Sequence, residues 1–475
     1  MMESREENSG LKEDRVITTN GETSSLWDKM HRELSNLPRA DDSHEVTIFR
    51  VPLSIRESNK NMFEPSAVSI GPYYRGLPHL RAMEENKWLS LRAFLNYKAG
   101  ESNEINEVGE EPARGLLQDC INKIKEVEQR ARRCYSEPFD MSSDEFVQML
   151  VLDASFILAS YICTDFDNAA KGWISSLITT DLILLENQIP FFIIETLWGS
   201  PLVDPEDMRW LVRRLTNGDI PIKALPERQK IHHLLHLCLC SAVPTVSTQD
   251  EDAASEPNHC PFLNWVRAVP VLKSLFSSKK EEETNKGMVW EIPCARELEE
   301  AGVKIKKLKQ SDDITKITFQ SGTLVIPRVF ITDRVKPLFM NLIALEQCMY
   351  YQRRPHFSAY MGFLDKLVNT AHDVQILQKH GIIESMLSGE EEVAVFFNQC
   401  GVGVVIEEDH YLADLFKRVN KHCGSRYHRY RAKLSRDYFN NPWSIIALIA
   451  ATFLLCLTIL QSFMSVYSYI RSPSS

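Results

Sequence analysis

The chain has 475 residues, 44% apolar and 25% charged, a balance that excludes both a wholly disordered chain and a polytopic membrane protein. A formal net charge of −10 excludes the global basic footprint of a nucleic-acid-binding protein. The eleven cysteines are scattered and never spaced CxxC, and no Asn-x-Ser/Thr sequon occurs, so a secreted disulfide framework is not expected.

Residues 1–45 are polar and acidic, with Glu3, Glu6, Glu7, Glu13 and Asp14 and no apolar stretch. They exclude a signal peptide and predict a flexible tail with a short amphipathic helix near Leu26–Leu34. Thr47–Val51 reads as a short strand, followed by a stretch punctuated by Pro52, Pro65, Gly71, Pro72, Gly76 and Pro78. Helical spacing follows over Leu80–Tyr97, with Met83, Lys87, Leu91 and Phe94 near one face, and again over Leu116–Tyr135. Between them, residues 98–112 read as an acidic loop. Ser143, Asp144 and Glu145 mark a helix start, and the run FVQMLVLDASFILASYI that follows is apolar on nearly every face, which places it centrally in the core. A second buried helical pair is expected around DLILLENQIPFFIIETLW, with Pro190 ending or kinking the first helix and opening the next.

Residues 244–261 and 277–287 read as surface loops. The lysine run at 304, 306, 307 and 309 reads as a solvated helix end or loop. Alternation over Ile314–Phe319 and Thr323–Ile331 around Gln320-Ser321-Gly322 predicts a hairpin whose second strand Pro327 confines to an edge. Helical patterns then return to Asn440. From Trp443 to Ile470 no charged residue occurs, which predicts a transmembrane helix over 441–470, opened by Pro442 and Trp443 and followed by a short tail, 471–475. Lys421, Arg426, Arg429, Arg431, Lys433 and Arg436 precede it and only Arg471 follows, so the positive-inside rule leaves the bulk of a single-pass chain in the cytosol. The basic cluster at 421–436 could also attract anionic lipid, at about 1 kcal/mol per residue near the surface. The expected fold is therefore mainly α: a multi-helix globular domain over 46–440 with a small β-hairpin element, plus one C-terminal transmembrane helix.

The segments IFRVP (48–52), PSAVSIGPYY (65–74), HLRAMEENKW (79–88), FVQMLVLDASFIL (146–158), DLILLENQIPFF (181–192), NLIALEQC (341–348) and NPW (441–443) occur in this order. Through them the chain resembles the plant-specific family of domain of unknown function 247. The resemblance implies a membrane-associated plant protein without an established enzymatic activity, and some grass members of that family are associated with self-incompatibility loci as male determinants of recognition. Two departures matter. The family's DG-C-F segment stands here as Asp153-Ala154-Ser155-Phe156, and the histidine common after GPY is replaced by Tyr74-Arg75, so neither a cysteine nor a histidine chemistry at those places is available.

The residues that carry the resemblance are Gly71, Pro72, Tyr73, Asp153, Glu186, Asn187, Gln188, Pro190, Asn341, Glu346, Gln347, Pro442 and Trp443. A carboxylate such as Glu186 or Asp153 inside an apolar run could be an acid or base of shifted pKa. The blander alternative is a polar group that satisfies backbone left open where Pro190 interrupts a helix, and it is favoured. His232, His236 and Cys240 could face a metal, but no HExxH glutamate accompanies them and their neighbours form an ordinary apolar stripe. Gly401-Val402-Gly403 is a lone GxG without nucleotide-site context. No catalytic residue, cofactor or metal is expected. Two functions stand: an anchored interaction or recognition module whose loops at 98–112 and 244–287 meet a protein partner, and an enzyme with an active site near Asp153 and Glu186.

Overall fold

The structure, a computed structural model, describes residues 26–32, 34, 46–100, 110–162, 173–199, 205–220, 230–243, 291–309, 313–349, 355–424, 450–451 and 453–464. It comprises two compact units, Met1–Val46 and Thr47–Ser475. In the first, residues 26–32 and 34 are helical as expected, with Trp27 stacked on His31 at 4.7 Å and Leu26, Met30 and Leu34 exposed.

The second unit opens on extended chain. Thr47–Val51 does not form a ladder strand. Ile48 makes one isolated bridge to Tyr135, because the amides of Thr47 and Ile48 both donate to the Cys134 carbonyl. Helices α1 (Leu53–Ser58), α2 (Lys60–Phe63), α3 (Ala82–Lys98), α4 (Glu110–Arg133) and α5 (Ser143–Ile162) follow. The apolar-all-round sequence of α5 has the expected consequence: Phe146, Met149, Leu150, Ala154 and Phe156 are fully buried. The helix starts at Ser143, as the sequence suggested, with Ser142 as its cap. Ser142 accepts from the Glu145 amide, and the Glu145 carboxylate takes the Ser142 amide at 2.9 Å. Around α5 pack α3, α4 and α7 (Phe191–Trp198).

The expected helical pair around Pro190 is corrected. Helix α6 (Trp173–Asp181) stops at Asp181, and 182–190 runs as turns and irregular chain, buried throughout, before Pro190 caps α7. Beyond lie α8 (Pro205–Leu215) and α9 (Leu234–Ala242). Every residue of α9 is buried, so its apolar residues are not the stripe of an amphipathic helix.

The rest of the unit holds α10 (Ala295–Glu300), β1 (Lys304–Lys307), β2 (Thr318–Gln320), β3 (Thr323–Ile326), β4 (Val329–Ile331), α11 (Val335–Cys348), α12 (His356–Leu367), α13 (Ala371–Lys379), β5 (Ile383–Ser385), α14 (Glu390–Cys400) and α15 (Ala413–Cys423). The hairpin is present, β2 antiparallel to β3 in the register Gln320↔Thr323, and Ser321 and Gly322 both have positive φ, as a tight two-residue turn requires. Two details differ from expectation. The lysine run is strand β1, parallel to β3, with Ile305 turned inward and its lysine neighbours out. Strand β3 is therefore central, and Pro327 lies just past its end, where it removes no ladder bond. Strand β4 leaves this sheet and pairs in parallel with β5. Helix α11 contacts α2, α9, α12 and β4, and so ties the two halves of the unit together.

The transmembrane helix is also corrected. Among the described residues no helix is long and apolar enough to cross a membrane. The C-terminal apolar helix is described over 450–464 without 452; a helix of that span rises roughly 22 Å against a hydrocarbon core of about 30 Å. Leu454, Leu455, Ile459, Leu460 and Met464 on it are exposed. Pro442, Trp443, Arg426, Arg429, Arg431, Lys433 and Arg436 lie outside the described residues, as do the loop 244–287 and most of 98–112. Lys421 is described and sits exposed in the last turn of α15.

Candidate functional site

A buried segment that is neither helix nor strand carries backbone donors and acceptors with no ladder to join, and each one left open costs about 1–3 kcal/mol. The segment 182–190 is such a case, and side chains complete it. Asn341 of α11 accepts the Leu185 amide at 2.8 Å and donates to the carbonyls of Met62 and Pro337. Gln188 donates to the carbonyls of Leu182 and Leu184, both at 2.8 Å. Asn187 reaches outward: it accepts the Ile70 amide at 2.7 Å and donates to the carbonyls of Val68 and Asp181. Asp181 accepts three successive amides, Ser66, Ala67 and Val68, at 3.0, 2.6 and 2.8 Å. Burial pushes its carboxyl up to about 6, against the pull of those donors. The segment 65–74 is thereby fastened along 181–190.

Gly71 brings the first segment close against Gln188 of the second. Its φ is +78°, and a Cβ there would sit closer than 3.0 Å to the Gln188 carbonyl oxygen, which already accepts the Tyr135 hydroxyl at 3.1 Å. Only glycine meets both demands. The Gly71 amide donates to Asp153 at 2.7 Å. Asp153 lies fully buried on α5, with the Lys87 ammonium 2.7 Å from its other oxygen. Lys87, also fully buried, stands 2.7 Å from Glu84 and donates to Ser69. Burial raises the Asp153 carboxyl, and Lys87 and the Gly71 amide pull it back. Burial works on Glu84 in the same direction, but Lys87 holds its carboxyl below the ordinary range.

Glu186 forms the second charged cluster. It has no side-chain exposure, and it accepts from the Val51 amide, Arg50, Arg56 and the Tyr74 hydroxyl, with contacts of 2.8, 2.8, 2.9 and 2.8 Å. Burial and the adjacent carboxylate push the Tyr74 phenol well above its ordinary value. The Arg50 guanidinium lies 4.3 Å over the Tyr73 ring, and Tyr73 packs edge-on against Tyr135. Pro72 is half-buried beside them. In the other half of the unit, Glu346 takes the amides of Phe357 and Ser358 and the Ser358 hydroxyl, and so caps α12. Gln347 pairs with both backbone groups of Val405, at 2.9 and 3.1 Å.

His232, His236 and Cys240 also resolve into backbone and local contacts. His236 Nδ1 accepts the His232 amide, and its Nε2 lies 3.4 Å from Cys240 Sγ. The sequence reading missed His233, which caps α9: Nδ1 accepts the His236 amide while Nε2 meets the Thr47 carbonyl at 3.0 Å. Burial pushes its imidazole down to about 3. Among the described residues no group of three or more His, Cys, Asp or Glu is placed to hold a metal ion.

The motif residues therefore converge on one place, where 65–74 meets 181–190, except Glu346 and Gln347, which act at α12, and Pro442 and Trp443, which lie outside the described residues. Sequence reasoning also missed Asp181, Arg50, Arg56 and Tyr74. Lys87, a lysine on the apolar face of α3, was the visible sign of a buried ion pair. Chemically, Glu186 accepts from two arginines, an amide and the Tyr74 hydroxyl, and Asp153 from Lys87 and an amide.

The family model for plant proteins of unknown function, DUF247, matches residues 48–457. The chain is 28% identical to the Arabidopsis thaliana UPF0481 protein At3g47200 over 439 residues, 89% of this chain and 87% of that one. It is 22% identical to the putative UPF0481 protein At3g02645, also of Arabidopsis thaliana, over 90% of this chain and 92% of that one. No solved structure matches the chain. The match over nearly all of the second unit makes this chain a member of the DUF247 family of plant proteins.

Proposed function

We propose that the chain works as a protein-interaction module of the recognition or signalling type rather than as an enzyme. The observation that carries this reading is the engagement of the motif carboxylates: Glu186, Asp153, Asp181 and Glu346 are all buried and all bound to amides or cations of the fold itself. Side chains used in that way define a rigid scaffold on which variable surface can be carried. The C-terminal apolar helix adds support. Its Leu454, Leu455, Leu460 and Met464 stand exposed, and exposed contiguous apolar surface marks a contact site. A partner with an apolar groove is the matching chemistry.

The test is quantitative co-purification from plant cells with a tag on residue 1 of the full chain. The reading expects one partner in near-equimolar amount, and its loss when Leu454→Ser and Leu460→Ser are introduced together. If no protein approaches an equimolar amount, the interaction reading fails.

A further inference from the structure

A cleft of about 410 Å³ opens between α6 and α8. Arg213 and Arg214 reach it from the last turn of α8, and Arg334 reaches it from the start of α11. Ser175, Ser176 and Thr179 of α6 face them across the opening. Among the described residues no carboxylate lines this cleft; Asp219 lines the smaller recess beside Arg334. Three guanidiniums thus gather at one opening in a chain whose net charge is −10.

The remaining wall is Asn217 and Trp210, and Trp210 is 40% exposed and carries the Arg214 guanidinium 5.5 Å from its ring centre. A flat, half-open indole is a surface for a planar organic group. The volume lies in the range of pockets that take one small ligand. Guanidinium is the side chain that grips phosphate with paired, charge-assisted bonds, and three of them match a doubly charged phosphate better than a single carboxylate. We propose that this cleft binds a small organic phosphate monoester, with its phosphate among Arg213, Arg214 and Arg334 and its organic part against Trp210.

Calorimetric titration of the full chain tests this with three probes: phenyl phosphate, inorganic phosphate and benzoate. Phenyl phosphate binds saturably at one site, inorganic phosphate binds the same site more weakly, and benzoate binds least. Arg213→Ala weakens phenyl phosphate by about tenfold or more. Arg213 is exposed, so this variant keeps its fold, which urea unfolding verifies. Trp210→Ala weakens phenyl phosphate and leaves inorganic phosphate as it was. The proposal is overturned if the native chain gives no saturable heat with phenyl phosphate, if Arg213→Ala leaves that binding within about twofold, or if benzoate binds as tightly.

Discussion

Replacing Gly71 by alanine puts a methyl group where the Gln188 carbonyl oxygen already constrains the space. Two costs combine. A left-handed φ of +78° in a residue with a Cβ costs about 1–2 kcal/mol. The methyl group must also push away a carbonyl that the Tyr135 hydroxyl holds, with a further loss of about 1 kcal/mol for that bond and more for any group left open. The total is about 3 kcal/mol. Gly76 supplies the control, because it has a φ of +84° but open space around its missing Cβ. Gly76→Ala should therefore show the backbone cost alone, about 1–2 kcal/mol. Urea unfolding of both variants at one pH measures the difference. If Gly71→Ala costs no more than Gly76→Ala, the close contact between 65–74 and 181–190 is not the constraint described above.

Asn187→Leu removes three hydrogen bonds and leaves the Ile70 amide and the Val68 carbonyl without these partners, while the Asp181 carbonyl keeps the Leu184 amide at 3.4 Å; a loss of at least ~2 kcal/mol is expected in the same assay. His233 gives an acid-side effect. Its folded pKa of about 3 lies below the ordinary 6.5, so the unfolded chain binds more protons between them, and stability present above pH 6.5 is lost as pH falls. The full effect is on the order of 5 kcal/mol, and His233→Asn, which keeps an accepting cap atom, should flatten the slope. Asp181 works in the opposite sense: its raised pKa adds stability as pH falls from about 6 toward 3.8, so the difference between native chain and His233→Asn, not the native slope alone, is the quantity to compare. Leu455→Ser on the exposed C-terminal helix should change unfolding by no more than about 0.5 kcal/mol.

Helices α3, α4 and α11 to α14 were legible because each carries its own apolar period, and α5 because its long apolar run follows a helix start at Ser143, Asp144 and Glu145. The segment 182–190 was not, because an apolar run reads alike whether it is a helix or a buried turn. What decides is Asn341, Asn187 and Gln188, which offer the backbone other partners. Asn341 stands far along the chain, and no local pattern announces it. Strand β1 was hidden by three lysines in four residues; only pairing with β3 gives Ile305 its inward face. At the site, Glu186 stood out as a charge among apolar residues. Its partners Arg50, Arg56 and Tyr74 lie more than a hundred positions earlier, and only the folded chain brings them to it.

Whether the motif carboxylates hold the fold or perform chemistry is tested most directly by the unfolding free energy of Glu186→Gln. The amide keeps the shape of the side chain but removes its charge, and it turns a donor toward the arginines, the Tyr74 hydroxyl or the Val51 amide. Arg56 then loses its counter-charge while Arg50 keeps Glu137 at 3.4 Å, so the cost falls at the lower end for a broken buried pair, about 3 kcal/mol. A scaffold role predicts a loss of that size in urea unfolding. A variant as stable as the native chain, or more stable, would contradict it and return Glu186 to the list of candidate acids and bases.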